Sequence, residues 1–217
     1  MSGATPCVLH FCDTETSKFI KPGEVLEVVE LAVVRWTDGN SQALLHEHYI
    51  PRHGISDEAA RCHGHTIETL TAKGAHKWAG HDCDNITAML KRQTLAGSNP
   101  NFDAQRIAFE CERMAKPAPD WNYRMVDTSS VSILMWMQGL VENTKLATLA
   151  KYFGLPEQEH TALADCFTAI GVFEAMHDLF VYRPRIMREA LDEIAGDDKT
   201  DMVLRDFALA AAQGVQL

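Results

Sequence analysis

Residues 25–36 read Val-Leu-Glu-Val-Val-Glu-Leu-Ala-Val-Val-Arg-Trp, and no other stretch restricts the fold so strongly. Branched side chains lose rotamer freedom on a helix but suit a pleated surface, so this run predicts a strand central to a sheet. Asp38-Gly39-Asn40 follows as a hairpin turn, which makes 42–50 the antiparallel partner. Ahead of the run, Cys7-Val8-Leu9-His10 leads into Phe11-Cys12-Asp13-Thr14-Glu15-Thr16, a strand ending in carboxylates. Lys18-Phe19-Ile20-Lys21-Pro22-Gly23 is the turn between the two. The first fifty residues therefore predict three consecutive strands.

Beyond them, 51–81 reads as irregular and histidine-rich, with short helices near 57–62 and 66–71. A helix over 84–92, a strand over 93–97 and a helix over 102–115 come next. A strand over 123–127 leads into a helix through Met137, and another helix over 145–153 stops at Gly154-Leu155-Pro156. A long helix then runs from the 158–166 region to Phe180. Strands alternating with helices predict parallel pairing with the earlier strands. Helices over 186–195 and 201–212 follow Arg183-Pro184-Arg185, giving a domain over 1–181 and a helical C-terminal extension over 182–217.

The sequence has 217 residues, enough for one well-packed domain, and its 46% apolar and 23% charged content suits a globular protein. Six scattered cysteines fit reduced thiols better than a disulfide framework. With no signal-like N-terminus and no run of 18 apolar residues, the expectation is a cytoplasmic protein without a membrane segment. A formal net charge of −10 argues against coating nucleic acid with a broad basic face. It leaves open a nucleic-acid enzyme whose carboxylates hold cations.

Alternation along a strand turns Asp13 and Glu15 to one side, where two negative charges need a proton or cation between them. A solvated acidic turn is the plain alternative. Asp103 heads a helix whose inward stripe is Ile107, Cys111 and Met114. Either the helix dipole accounts for it or it points into a cleft. Asp165 shares a helix face with Ala162, Ala169 and Val172, beside a main apolar stripe of Leu163, Phe167, Ile170 and Phe173. The small neighbours permit close backbone approach to Asp13 and Glu15. His160 precedes that helix, where it is either surface decoration or aimed at the acids. Such oxygen ligands suit Mg²⁺ or Mn²⁺, and two ions about 3.5–4 Å apart stabilise an in-line phosphoryl displacement. A neutral histidine can take the proton from the attacking water.

The segments Asp13-Thr14-Glu15-Thr16, Asn99-Pro100-Asn101-Phe102-Asp103 and His160-Thr161-Ala162-Leu163-Ala164-Asp165 resemble the three motifs of the DEDDh, or DnaQ-like, 3′–5′ exonucleases. Residues 29–34 resemble the family's second strand, and Cys62-His63-Gly64-His65-Thr66 its His-Gly-x-Thr segment. The resemblance covers about 8–180. It implies an α/β, RNase H-like fold with a mixed five-stranded sheet flanked by helices. It also implies hydrolytic release of nucleoside 5′-monophosphates from the 3′ end of single-stranded nucleic acid; DNA is the favoured expectation, with an exoribonuclease trimming RNA as the alternative. By position, Asp13, Glu15, Asp103 and Asp165 are the ligands of two Mg²⁺ or Mn²⁺ ions, Asp13 bridging both. His160 is the general base, and Thr14, Thr16, His63, Asn99 and Phe102 hold the terminal nucleotide. The C-terminal helices are read as packing on the domain or on a partner such as a polymerase. Ser17-Lys18 stands where many relatives have Thr-Gly, and Ser98 where a histidine often precedes Asn99. Both changes bear on substrate preference.

Two rival readings have different consequences. Cys62, His63, His65, His81 and Cys83 could form a zinc module, although no tight Cys-x-x-Cys pair is present. A catalytically inactive nucleic-acid-binding module would show a lost ligand, and none is missing. Glu30 has either a role in the site or a structural one on its strand.

Overall fold

A computed structural model describes residues 7–19 and 25–182. Five strands form one mixed sheet: β1 (Val8–Thr16), β2 (Val28–Thr37), β3 (Asn40–His48), β4 (Leu95–Gly97) and β5 (Val126–Asp127). Their spatial order is β3-β2-β1-β4-β5, antiparallel on the β3 side of β1 and parallel on the β4 side. The apolar run does form the strand next to the sheet's centre. Asp38 (φ 46°) and Gly39 (φ 86°) both take the left-handed conformation that a two-residue hairpin requires.

One sheet face is dry. Cys12, Leu31 and Val33 pack there against α3 (Gly80–Leu90) and α4 (Pro100–Arg113), through Cys83, Ile86, Leu90, Ala104, Ile107 and Cys111. Two short helices, α1 (Asp57–His63) and α2 (Ile67–Ala72), precede these. Helix α3 starts four residues before its expected position. Asp82 Oδ2 accepts from the Ala79 amide at 2.7 Å and supplies the cap that allows this. Strand β5 is shorter than predicted, because Asn122 Oδ1 accepts from the Arg124 amide and turns the chain there. The single helix expected through Met137 is two, α5 (Thr128–Val131) and α6 (Ile133–Met137), followed by α7 (Leu146–Tyr152).

Helix α8 (Ala162–His177) lies against the other face, where Cys166 Sγ is 3.6 Å from the Phe11 carbonyl oxygen and 3.7 Å from that of Ala32. Here the expected stripe is corrected. Phe167 is 45% exposed, whereas Ala162, Asp165, Cys166, Ala169, Ile170 and Val172 are buried. Small side chains let the helix backbone approach the strands, and that contact outweighs burial of the larger side chains. The chain divides into two units, Met1–Val172 and Phe173–Leu217. Of the second, the described part is the end of α8 and a π-helical segment, Asp178–Tyr182. Residues 20–23 of the predicted linking turn and the predicted C-terminal helices lie outside the described residues. No described helix is long and apolar enough to cross a membrane.

Candidate active site

Each acid reaches the site by a separate structural device. Asp13 and Glu15 sit on one face of β1, and the register shifts just after Glu15, where a bulge ends regular pairing with β2. Asp103 arrives through a close approach of strands. A Cβ at Gly97 would lie 3.0 Å from the Cys12 carbonyl oxygen, so only glycine lets β4 run this near β1. Asn99 then takes a left-handed turn (φ 62°) and Pro100 opens α4, which brings Asp103 into its first turn. The Asn99 amide donates to Asp127 Oδ1 at 3.0 Å, which fixes the turn. His160, also left-handed (φ 53°), turns the chain into α8 and so delivers Asp165.

Carboxylate oxygens of Asp13, Glu15 and Asp165 all lie within 4.8 Å of one another. Asp103 is buried and tied to β1 by the Thr14 hydroxyl, which donates to its Oδ1 at 2.7 Å. The cost of this crowding appears in the acidities. Burial, then the charges of Asp103, Glu15, Asp165 and Glu30, push Asp13 well above the usual carboxylate range. Burial and the charges of Asp165, Glu30 and Asp103 lift Glu15 to about 8. Burial raises Asp103 to about 7 against the opposing hydrogen bonds from Thr14. Asp165 is raised by burial too, although Gln158 and His160 work against it. Asp165 Oδ1 is buried with no hydrogen-bond partner. An orphaned oxygen among mutually repelling carboxylates is what a hard divalent cation would satisfy, so the donor set fits such an ion.

The other expected residues divide by what their polar atoms already do. His160 is exposed at the mouth, within electrostatic reach of Asp165 and His63. Beside it a cavity of about 540 Å³ is lined by Ala147, Lys151, Gly154, Leu155, Glu157, Gln158 and His160. The Thr14 hydroxyl is committed to Asp103, and that of Thr16 donates to the Lys18 carbonyl at 2.9 Å. Both ring nitrogens of buried His63 are engaged, Nε2 at 3.2 Å from the Thr16 carbonyl and Nδ1 accepting from the His65 amide. Asn99 is exposed, and Phe102 is half-buried with the Arg106 guanidinium over its ring.

Gln158 escaped notice as a functional residue. Its Nε2 donates to Asp165 Oδ2, and only its place two residues before His160 could have pointed to it. The five residues of the zinc-module reading do not assemble. Cys83 is a core residue beneath Trp78, whose Nε1 donates to its sulfur, while His65 turns to Glu30 instead.

The sequence model of a family described as Exonuclease matches residues 11–173. A structure of exonuclease I superposes with a TM-score of 0.64 at 17% identity, covering 78% of this chain and 40% of that one. E. coli exonuclease I in complex with a dT13 oligonucleotide gives 0.62 at 17% identity, over 85% and 43%. The zinc-bound complex of that E. coli enzyme with single-stranded DNA gives 0.63 at 16%, over 87% and 43%. The chain thus spans less than half the length of these proteins, and at such identity the likeness is one of fold. It bears out the RNase H-like arrangement, a mixed five-stranded sheet flanked by helices. No curated protein matches the chain.

Proposed function

Since the chain belongs to the exonuclease family, we propose that it hydrolyses phosphodiester bonds from the 3′ end of single-stranded nucleic acid, DNA in preference to RNA. The observation that carries this reading is the convergence of Asp13, Glu15 and Asp165 on one point, with Asp103 adjoining and one Asp165 oxygen unpartnered. Exonuclease I, whose fold this chain shares, has been seen with single-stranded DNA, which favours that substrate.

Asp13, Glu15, Asp103 and Asp165 would hold Mg²⁺ or Mn²⁺, which when bound would supply the positive field that favours phosphoryl displacement. Thr14 orients Asp103, and Gln158 orients Asp165. His160, exposed to solvent, accepts the proton of the attacking water. The cavity beside His160 gives the terminal nucleotide room, with Lys151 as the cation on its wall. Asn99 and Phe102, at the start of α4, contact the strand end together with Thr16 and His63.

Matched 5′-labelled single-stranded DNA, duplex DNA and RNA test this directly. With Mg²⁺ or Mn²⁺, single-stranded DNA shortens from its 3′ end fastest, and chelator stops the reaction. Faster shortening of RNA would replace the DNA preference by an exoribonuclease. His160→Ala lowers turnover about 10²–10⁴-fold if it is the base. Full activity in both His160→Ala and Asp165→Ala would remove the mechanism.

A further inference from the structure

The face of the sheet that carries Asp13 and Glu15 continues past them. In register, Glu15 pairs with Glu30 and Glu30 with His48, while Asp13 pairs with Ala32 and Ala32 with His46. Cross-strand partners share a face, so two histidines of β3 stand in the same rows as the acids of β1. His65, between α1 and α2, joins them. Its Nε2 is 2.8 Å from Glu30 Oε2, and His46 Nε2 is 2.7 Å from Oε1.

A buried carboxylate accepting from two imidazoles could be a self-sufficient structural network. The third ring argues otherwise. His48 Nε2 lies 3.6 Å from Glu30 Oε1 and 3.1 Å from Lys73 Nζ. An ammonium group can only donate, so this nitrogen presents its lone pair. A lone pair beside a carboxylate favours a cation on that nitrogen, and here the exposed Lys73 ammonium supplies one. Ligand atoms of Glu30, His48 and His65 all lie within 4.8 Å of one another. The His46 and His48 ring centroids are 4.9 Å apart, and those of His48 and His65 5.3 Å. A tetrahedral ion with bonds of 2.0–2.1 Å holds its ligands about 3.4 Å apart, a distance that side-chain rotations can reach. Glu30 and His65 form a buried floor, while the His46 side chain is 35% exposed and leaves a way in.

We propose that Glu30, His46, His48 and His65 form a binding site for a zinc-class transition-metal ion, distinct from the oxygen-rich site on β1. Three imidazoles and one carboxylate select such an ion over Mg²⁺, which wants oxygen. The ion displaces the Lys73 ammonium.

Binding can be read without any nuclease assay. In Asp13→Asn/Asp165→Asn protein, which lacks a competent acidic site, one equivalent of Zn²⁺ is taken from a chromophoric chelator. Co²⁺ in its place gives the strong visible absorption of a four-coordinate ion. His48→Gln and His65→Ala each weaken binding by at least about tenfold. If His65→Ala fails to fold, His46→Gln on the edge strand gives the same answer. Affinity that survives these substitutions overturns the proposal. So does binding that disappears in His76→Ala/His81→Ala, the imidazole pair beside Asp82. Absence of one-equivalent binding in the doubly substituted protein overturns it as well. A negative nuclease assay would leave the result untouched.

Discussion

Glu15 and Glu30 are direct cross-strand neighbours on the same face of the same sheet, yet their carboxyls are driven in opposite directions. Glu15, buried among Asp165, Glu30 and Asp103, rises to about 8. Glu30 is more enclosed as a residue, and burial also pushes it upward. Hydrogen bonds from His65, His46 and the Ala162 backbone overcome that push and hold it at about 2. Burial alone therefore does not decide the fate of an acid. Its neighbours do: one glutamate is frustrated until a cation arrives, and the other is provided with donors. His48, beside Glu30, shows the same local control, since burial lowers it to about 4 despite the nearby carboxylate.

The largest effect expected from this contrast is on catalysis. Asp13→Asn lowers exonuclease turnover on the order of 10³-fold, comparable to loss of a main electrostatic element of an active site, while the metal-free protein becomes more heat-stable. A variant that loses activity and stability together would show that Asp13 is a structural acid. The two glutamates give the sharpest comparison. In chelator at neutral pH, Glu15→Gln raises the melting temperature because it removes a repelled carboxyl. Glu30→Gln lowers it, since an amide NH₂ must then face an imidazole donor, at about 1–3 kcal/mol, or roughly 2–4 °C per kcal/mol. Shifts of the same sign in both variants would break the comparison.

The pH dependence follows from the same acidities. Glu15 ionises near 4.5 when unfolded and near 8 when folded, so between these values the folded state holds the extra proton. Its contribution to stability is complete below about pH 4.5 and is lost as pH rises to 8. For Glu30 the sign reverses: its contribution is present above 4.5 and is lost as pH falls through about 2. Between pH 5 and 8 the metal-free protein therefore loses melting temperature, and saturating Mg²⁺ flattens the slope. Thermal scans with and without chelator check this, and identical slopes would contradict the frustrated-site reading. The smallest effect is that of Thr14→Val, which removes one hydrogen bond to Asp103 for about 1 kcal/mol and weakens Mg²⁺ binding by less than tenfold. Titration of Mg²⁺ against the melting temperature measures it.

Much of the site was legible in the chain because its parts are local. An apolar stretch breaking into Asp-x-Glu, an Asn-Pro turn before Asp103, and a His five residues ahead of Asp165 each leave a short-range trace. The structure gathers Asp13, Glu15 and Asp165 and ties Asp103 alongside through Thr14. Glu30 was less legible. From its strand it could serve the site or the scaffold, and the choice depends on His46 and His65, which lie 16 and 35 residues away. The rival zinc module of 62–83 fails for the reverse reason: His63 and His65 stay close, with ring centroids 5.0 Å apart, but Cys83 is taken into the core under Trp78.

The sequence by itself determined the strands and most helices, the left-handed hairpin turn, and which acids were candidates, because side-chain shape, period and turn chemistry act over a few residues. Tertiary structure alone decided which face of α8 meets the sheet, that Gly97 lets β4 close on β1, and that Glu30 answers to histidines while Glu15 answers to acids. Those outcomes depend on how closely backbones approach and on cross-strand register, and both are set by segments that no local pattern connects.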